Sequence, residues 1–174
     1  DAVLDAVDGR TGIIAVVSPN NPTGGVITTD ALRRLSTSAP NSMLMVDCAY
    51  AEFAHDDLTD VALALPNAVV FRTLSKALGL AGLRVGFAMG PASAIKTLRA
   101  VGMPYPVSAP SLRLASAALD RRVESAPYIS VVRQERVRLL SILEEQGIEA
   151  LPSQGNSVMV TRPSAMVALS TSKL

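Results

Sequence analysis

Three polar residues with chemically useful side chains, Asn21, Asp47 and Lys76, follow or end short apolar runs of the chain. Short runs rich in β-branched residues predict buried strands. In open α/β sheets, ligands bind beside the carboxyl ends of the strands. The spacing therefore predicts that an amide, a carboxylate and an amine lie at one edge of a sheet, beside a ligand site.

The elements that must hold these side chains alternate between strand-like and helix-like stretches, which predicts an α/β fold with parallel strands joined by crossovers. Residues 18–25 contain two prolines and two glycines, so they are predicted to form a turn. Thr29 is predicted to cap a helix, and Gly147 to end a long helical segment. The predicted strands cover residues 13–17, 43–46, 68–71, 84–89, 148–151 and 158–161, and the predicted helices begin after Thr29 and Pro91 and span residues 112–143.

The sequence contains few of the residues that other kinds of catalytic or binding site require. His55 is the only histidine, which excludes a His-based triad or a multi-histidine metal site within the chain, and we expect it in an exposed loop. Cys48 is interpreted as a small buried residue rather than a nucleophile. No metal site is predicted, and a Rossmann nucleotide site is disfavoured because no predicted strand is followed by Gly-x-Gly-x-x-Gly.

The composition excludes several kinds of partner. The 16 basic and 15 acidic residues leave a formal charge of +1, so no strong field exists to attract nucleic acid or an anionic membrane surface. The apolar runs are far shorter than the roughly 20 residues needed to span a bilayer. The single cysteine cannot form an internal disulfide, which fits a reducing compartment. We expect a cytoplasmic protein with no nucleic-acid or membrane partner.

Three motifs occur together along the chain. They are Ser-Pro-Asn-Asn-Pro-Thr-Gly at residues 18–24, Asp-Cys-Ala-Tyr at 47–50, and Thr-Leu-Ser-Lys-Ala-Leu-Gly-Leu-Ala-Gly-Leu-Arg-Val-Gly-Phe at 73–87. Each motif alone carries little information, since Asn-Pro-Thr-Gly is a good turn in any protein. In this order and spacing they resemble the signature of class I/II, fold type I aminotransferases that use pyridoxal 5'-phosphate (PLP). Among these, histidinol-phosphate aminotransferases have a similar pattern around the lysine.

The resemblance implies a covalent role for Lys76 and an electrostatic role for Asp47. Lys76 would form the Schiff base with the PLP aldehyde and, once released, would act as the base that moves the substrate proton. Asp47 would pair with the pyridine nitrogen and keep it protonated, so that the ring can accept electrons. The alternatives are a solvated surface lysine and an aspartate that only ends a strand.

Five further residues would bind the cofactor if the resemblance holds. Asn21 and Tyr50 would donate hydrogen bonds to its phenolic oxygen. Thr73, Ser75 and Arg84 would bind its phosphate. The position of Arg84 within an apolar run indicates a buried partner for its charge. As alternatives, Asn21 is only a turn residue, Tyr50 a core aromatic, and Arg84 a surface arginine.

The resemblance also implies a fold and its division into domains. We expect a three-layer α/β sandwich with a mostly parallel sheet, followed by the start of a small α+β domain. Residues 1–105 are interpreted as the C-terminal part of the PLP-binding large domain, 106–147 as a connecting long-helix region, and 148–174 as the beginning of the small domain. Relatives are longer and are homodimers, so we expect a fragment, a degenerate copy or a split-gene half that leaves apolar sheet surface uncovered.

Three functions remain open from the sequence. The first is a PLP-dependent aminotransferase that moves an amino group between an amino acid, with histidinol phosphate preferred, and a 2-oxo acid. The second is a decarboxylase of the same fold, because the cofactor motif determines the electron sink and not the bond that is broken. The third is a noncatalytic remnant that needs the missing half of the fold.

Overall fold

The computed structural model describes residues 2–161, which form a four-stranded sheet flanked by helices. The strands are β1 (Ile13–Val17), β2 (Met43–Asp47), β3 (Ala68–Thr73) and β4 (Gly86–Met89). They lie in sequence order, with β1, β2 and β3 parallel and β4 antiparallel to β3. The helices are α1 (Ala2–Asp5), α2 (Thr29–Ser38), α3 (Thr59–Leu63), α4 (Ala92–Val101), α5 (Ala109–Asp120) and α6 (Ala126–Glu145).

One face of the sheet forms the main core. Alternate residues of a strand point to opposite faces, and in β1 it is Ile14 and Val16 that are buried. They pack with Leu32 and Leu35 of α2, which begins the crossover to β2. Ala62 of α3 belongs to the same cluster, so both crossovers cover the same side of the sheet. The predicted α/β fold with a mostly parallel sheet is confirmed.

Among residues 2–161, no element covers the opposite side of the edge strand β1. Ile13 is 61% exposed and Val17 is 37% exposed. Apolar side chains that alternate with buried ones in a parallel strand ordinarily pack against a second layer. The expected uncovered sheet surface is therefore present on β1. None of the described helices combines the length and the apolar character needed to cross a bilayer.

Two helix predictions need correction. The N-cap of α2 is Thr28, not Thr29, and its side-chain oxygen accepts a hydrogen bond from the Ala31 N–H at 3.2 Å. The predicted segment 112–143 is not continuous, because a 3₁₀ turn at Arg122–Ser125 separates α5 from α6. Pro127 lies in the first turn of α6, where the absence of an N–H is tolerated. Inside a longer helix this proline would remove a hydrogen bond, so the helix begins anew here.

The strand predictions also changed in detail. β3 continues two residues beyond the predicted end, to Thr73, and β4 starts at Gly86 rather than at residue 84. Of the predicted strands 148–151 and 158–161, the structure retains a single antiparallel bridge between Ala150 and Val160. Two backbone hydrogen bonds flank the bridge, too few to stabilise a ladder without a neighbouring strand. Residues 162–174, which belong to the predicted small domain, lie outside the described residues.

Candidate active site

The carboxyl ends of β1, β2 and β3 lie side by side. Val17 is the register partner of Asp47, and Asp47 is the partner of Phe71. The chain leaves β1 through the turn that holds Asn21 and leaves β3 through the loop that holds Lys76. Parallel pairing therefore brings three sequence-distant segments to one edge of the sheet, as the strand pattern predicted.

Asn21, Tyr50 and Lys76 are in contact at this edge. Asn21 Nδ2 donates a hydrogen bond of 2.9 Å to the Tyr50 hydroxyl oxygen. The Lys76 ammonium nitrogen lies 5.0 Å from the centroid of the Tyr50 ring, within the range of a cation–π interaction. Tyr50 is buried. Because its oxygen accepts from Asn21, its own O–H remains available to donate to an acceptor.

Asp47 occupies the last position of β2. Its Oδ1 accepts a hydrogen bond of 2.9 Å from the Ala49 N–H, which orients the carboxylate across the start of the loop that leads to Tyr50. The Asp47 carbonyl oxygen accepts from the Ser18 N–H at 3.0 Å, so the first residue of the β1 turn is tied to the same strand end. The carboxylate is half-buried, where a charge–charge interaction is stronger than in bulk water.

Thr73 and Ser75 lie at the exit of β3. The Thr73 hydroxyl accepts a hydrogen bond of 3.1 Å from the Ser75 N–H and donates a long one of 3.4 Å to the Val85 carbonyl. The Thr73 side chain thus shapes the turn that leads to Lys76. Both hydroxyl-bearing residues are half-buried at the edge where the three strands end.

The prediction that the Arg84 charge has a buried partner is wrong. Arg84 is exposed, and its guanidinium donates a hydrogen bond of 3.1 Å to the Ala81 carbonyl within its own 3₁₀ turn. The neighbouring Val85 is buried with Leu74 and Ala115, so the apolar run buries Val85 and leaves Arg84 in solvent. Arg84 also has a left-handed backbone conformation, with φ of 55°, which costs a non-glycine residue roughly 1–2 kcal/mol.

The predictions for Cys48 and His55 are confirmed. Cys48 is fully buried, and burial, followed by the nearby Asp57 charge, raises the pKa of its thiol to about 11. The thiolate is therefore suppressed at neutral pH, as expected of an inert side chain. His55 is exposed in the loop after Tyr50. Within residues 2–161, no cluster of histidine, cysteine and acidic side chains could hold a metal ion.

An ion-pair network missed by the sequence prediction joins two of the site segments. Arg72 on β3 contacts Glu52 at 2.7 Å and Asp57 at 2.8 Å, and its side chain is 14% exposed. A further hydrogen bond of 2.6 Å reaches the Thr59 hydroxyl. Burial opposes ionisation of Asp57, but hydrogen bonds from Thr59 and the Arg72 charge outweigh it and lower the pKa of Asp57. The network borders a cavity of about 680 Å³.

Two arginines of α6 hold the turn that follows Tyr50. Arg133 donates to the carbonyls of Glu52 and Ala54. Arg136 is 6% exposed and donates to the Phe53 carbonyl at 3.1 Å and to the Gly155 carbonyl at 2.8 Å. Burial and the nearby Arg133 charge lower the pKa of Arg136. The sequence does contain one indication that Arg136 is buried. Arg136 follows Val132 by four residues, so both lie on the face of α6 that packs against the protein.

Comparison with known proteins identifies the family to which this site belongs. The family model for aminotransferases of class I and II matches residues 1–173. The chain belongs to the class I and II aminotransferases. The family assignment inferred from the three motifs is therefore confirmed.

Three relatives show the breadth of this aminotransferase family. An aromatic amino acid aminotransferase of Mycobacteroides abscessus is 44% identical over 162 residues, which cover 90% of this chain and 46% of that protein. The N-succinyldiaminopimelate aminotransferase of Mycobacterium tuberculosis has 28% identity and a TM-score of 0.79, covering 89% and 43% of the two chains. A histidinol-phosphate aminotransferase of Sinorhizobium meliloti in complex with PLP has 26% identity and a TM-score of 0.77, covering 85% and 41%.

The chain thus spans about half the length of the curated relatives it matches. It nevertheless contains a set of side chains whose chemistry matches the functional groups of PLP. A primary amine can react with an aldehyde, a carboxylate can pair with a ring nitrogen, and hydroxyl and amide donors can bind oxygens. These groups converge on one strand edge, where Tyr50 links Asn21 to Lys76. The residues of this aminotransferase chain therefore fit the cofactor.

Proposed function

We propose that this chain forms part of the active site of a PLP-dependent aminotransferase, which transfers an amino group between an amino acid and a 2-oxo acid. The contact of Lys76 with Tyr50, and of Tyr50 with Asn21, carries this proposal. When bound, PLP supplies an aldehyde that reacts with amines and a protonated ring that stabilises negative charge at the substrate α-carbon.

Lys76 is the proposed attachment point and catalytic base. Its amine lies above the Tyr50 ring, at the exit of β3. With PLP and a substrate bound, the uncharged Lys76 nitrogen would be able to take a proton from the substrate α-carbon and to return it to the other end of the reacting system. A half-buried position limits competition from water for that proton.

Asp47 is the proposed partner of the ring nitrogen. Its position at the end of β2 and its hydrogen bond from the Ala49 N–H support this role, because they orient the carboxylate before any ligand binds. A carboxylate beside the ring nitrogen favours the protonated ring. Replacing Asp47 by Asn keeps the shape of the side chain and removes the charge that holds the proton.

Asn21 and Tyr50 are the proposed donors to the phenolic oxygen of PLP. Their mutual hydrogen bond leaves the Tyr50 O–H available as a donor and fixes the direction of the Asn21 amide. Thr73, Ser75 and Arg84 are the proposed phosphate ligands. In support, Thr73 and Ser75 lie at the strand exit, and the exposed Arg84 guanidinium has donors that can grip two oxygens at once.

The proposed amino donor is an aromatic amino acid. Curated relatives named as aromatic amino acid aminotransferases have 39–44% identity with this chain, whereas the histidinol-phosphate aminotransferase of S. meliloti has 26%. Histidinol phosphate is the second candidate, because the sequence pattern around Lys76 favours it. We further propose a 2-oxo acid acceptor, a cytoplasmic location and a homodimer, with no nucleic-acid or membrane partner.

Cofactor attachment is the first test. The full chain is mixed with PLP, reduced with borohydride, digested and analysed by mass spectrometry. The phosphopyridoxyl group is expected on Lys76, together with a visible absorption band before reduction that Lys76→Ala abolishes. Lys96→Ala, at an exposed lysine of α4, is the matched control and leaves the band unchanged. Label distributed equally over both lysines would contradict the assignment.

Amino transfer is the second test. Phenylalanine, tyrosine and histidinol phosphate are added separately to the PLP-loaded chain, and the 2-oxo product is measured with the change in the visible band. Conversion with the aromatic donors supports the proposed substrate class. A band that forms on Lys76 but does not respond to any amino donor would instead indicate a noncatalytic, cofactor-binding chain.

A further inference from the structure

A short segment beyond α6, residues 153–157, contacts two loops of the candidate active site. We name it the bridging segment. The Gln154 N–H donates to the Gly24 carbonyl at 2.8 Å, and Gln154 Oε1 accepts from the His55 N–H at 2.9 Å. One residue thus joins the turn after β1 to the loop after β2.

The bridging segment is packed closely against both loops. Gly24 has a φ of +72°, and a Cβ placed there would lie 2.0 Å from Ser153 Oγ. On the other side, Arg136 donates both to the Phe53 carbonyl and to the Gly155 carbonyl. Ser153 is 8% exposed. Gln154 is therefore held at a fixed position relative to the two loops.

The same two loops carry Asn21 and Tyr50. Asn21 precedes Gly24 by three residues, and Tyr50 precedes His55 by five. Their side chains are joined by the hydrogen bond of 2.9 Å. The Gln154 contacts form a second connection between the loops, made to backbone groups of Gly24 and His55 rather than to the proposed cofactor ligands. Losing the Gln154 contact to His55 leaves the Asn21–Tyr50 hydrogen bond, and the Ser18 N–H to Asp47 carbonyl bond at the base of the loops, to hold the two loops together.

We propose that Gln154 is a positioning residue that sets the separation of Asn21 and Tyr50, and through it the strength of their hydrogen bonds to the PLP phenolic oxygen. This inference rests on the proposed function. With PLP bound, correctly placed donors on Asn21 and Tyr50 would stabilise the negative charge of its phenolic oxygen, and the visible band would then titrate at lower pH. A change at Gln154 leaves the titratable side chains of the strand ends and loops around Lys76 in place, and only the backbone N–H of His55 loses a partner. These side chains are Asp47, Tyr50, Glu52, His55, Asp56, Asp57, Arg72 and Arg84.

The test compares two Gln→Met substitutions. Gln154→Met keeps the side-chain length and removes the acceptor for the His55 N–H. Gln134→Met makes the same change at an exposed glutamine of α6, whose side chain donates a 3.4 Å hydrogen bond to the Ser130 hydroxyl. The midpoint of the visible band in a pH titration is expected to rise by about 0.4–1 unit in Gln154→Met, the equivalent of one ordinary hydrogen bond, and to stay unchanged in Gln134→Met.

Two further measurements separate positioning from general damage. Gln154→Glu retains an acceptor oxygen for the His55 N–H and is expected to keep the midpoint close to that of wild type. Amide hydrogen exchange without PLP is expected to be faster at His55 and in the turn 20–25 of Gln154→Met, with unchanged protection in β2 and α2. Accelerated exchange throughout the sheet would mean a structural role alone and would overturn the proposal.

The outcomes distinguish this inference from the proposed function. If wild type forms the Lys76-dependent band and Gln154→Met titrates like Gln134→Met, the positioning role is refuted while the cofactor assignment stands. If wild type forms no such band, the proposed function fails, and the role of Gln154 toward PLP fails with it. Exchange rates measured without PLP still show whether the link between the loops exists in solution.

Discussion

Replacing Gly24 by alanine tests the close approach of the bridging segment to the β1 turn. Gly24 is buried and has a φ of +72°, and the added Cβ would lie 2.0 Å from Ser153 Oγ, 2.4 Å from its Cβ and 2.7 Å from its Cα. The left-handed backbone alone costs alanine about 1–2 kcal/mol, and forcing atoms apart in a packed site costs about 1–3 kcal/mol more. We expect Gly24→Ala to lower the free energy of unfolding by about 2–5 kcal/mol.

Gly147→Ala is the matched control for this change. Gly147 has nearly the same φ, +68°, but a Cβ there would meet nothing within 4 Å. Its substitution should therefore show the backbone cost alone, about 1–2 kcal/mol. Both variants are compared with wild type by urea denaturation followed by circular dichroism. The difference between them isolates the contact with Ser153.

A second substitution in the bridging segment makes the test specific. Ser153→Gly removes the two side-chain atoms that the new Cβ would strike, although the backbone of residue 153 still lies close to it. The double variant Gly24→Ala, Ser153→Gly should be more stable than the sum of the two single changes predicts, by about 0.5–3 kcal/mol. If Gly24→Ala costs no more than Gly147→Ala, or if the two changes at residues 24 and 153 are additive, the segment does not lie against the turn in solution.

Three further outcomes follow from the described interactions. Burial raises the pKa of the Cys48 thiol to about 11, against an ordinary 9.0. In the folded protein at pH 8, Cys48 should therefore react with a thiol reagent roughly 100-fold more slowly than an exposed cysteine, and in denaturing urea it should react at the ordinary rate. Equal rates in the two conditions would contradict its burial. Arg72→Met should cost about 1–3 kcal/mol of unfolding free energy, because it removes the cation that pairs with half-buried Glu52 and with exposed Asp57. Arg138→Met, at an exposed pair, should cost under about 1 kcal/mol, and similar losses in the two variants would show that burial does not matter. Thr28→Ala should cost about 1 kcal/mol through loss of the α2 cap and Thr29→Ala clearly less, and the opposite order would restore Thr29 as the cap.

Local patterns in the sequence were sufficient for the strands that carry the site. The strand Ile13–Val17 was predicted with its observed ends, and Met43–Asp47 is one residue longer than predicted. β2 lies inside the sheet, and β1 buries alternate residues at its edge. A strand that packs against a core consists largely of apolar and β-branched residues, which the sequence shows directly. The turn after β1 was equally clear, because proline and glycine restrict backbone geometry wherever they occur.

Most of the errors came from residues whose environment depends on distant parts of the chain. Arg84 was expected to have a buried partner from its apolar neighbours, but the neighbouring Val85 takes the buried position. The break between α5 and α6 did have a local signal, Pro127, which the apolar periodicity concealed. The partners of Arg72 are 15 and 20 residues away in sequence, and no spacing rule connects them.

By itself, the sequence determined the family, the α/β class and the order in which Asn21, Asp47 and Lys76 reach the ends of their strands. Tertiary structure alone decided that Asn21 contacts Tyr50 and that Arg136 donates to the Phe53 carbonyl. It also decided that Gln154 bonds to His55, 99 residues earlier in the chain. The physical reason is range. Strand and turn preferences arise from sterics between neighbouring residues, whereas these contacts exist only after the sheet has aligned its edges and α6 has packed beside it.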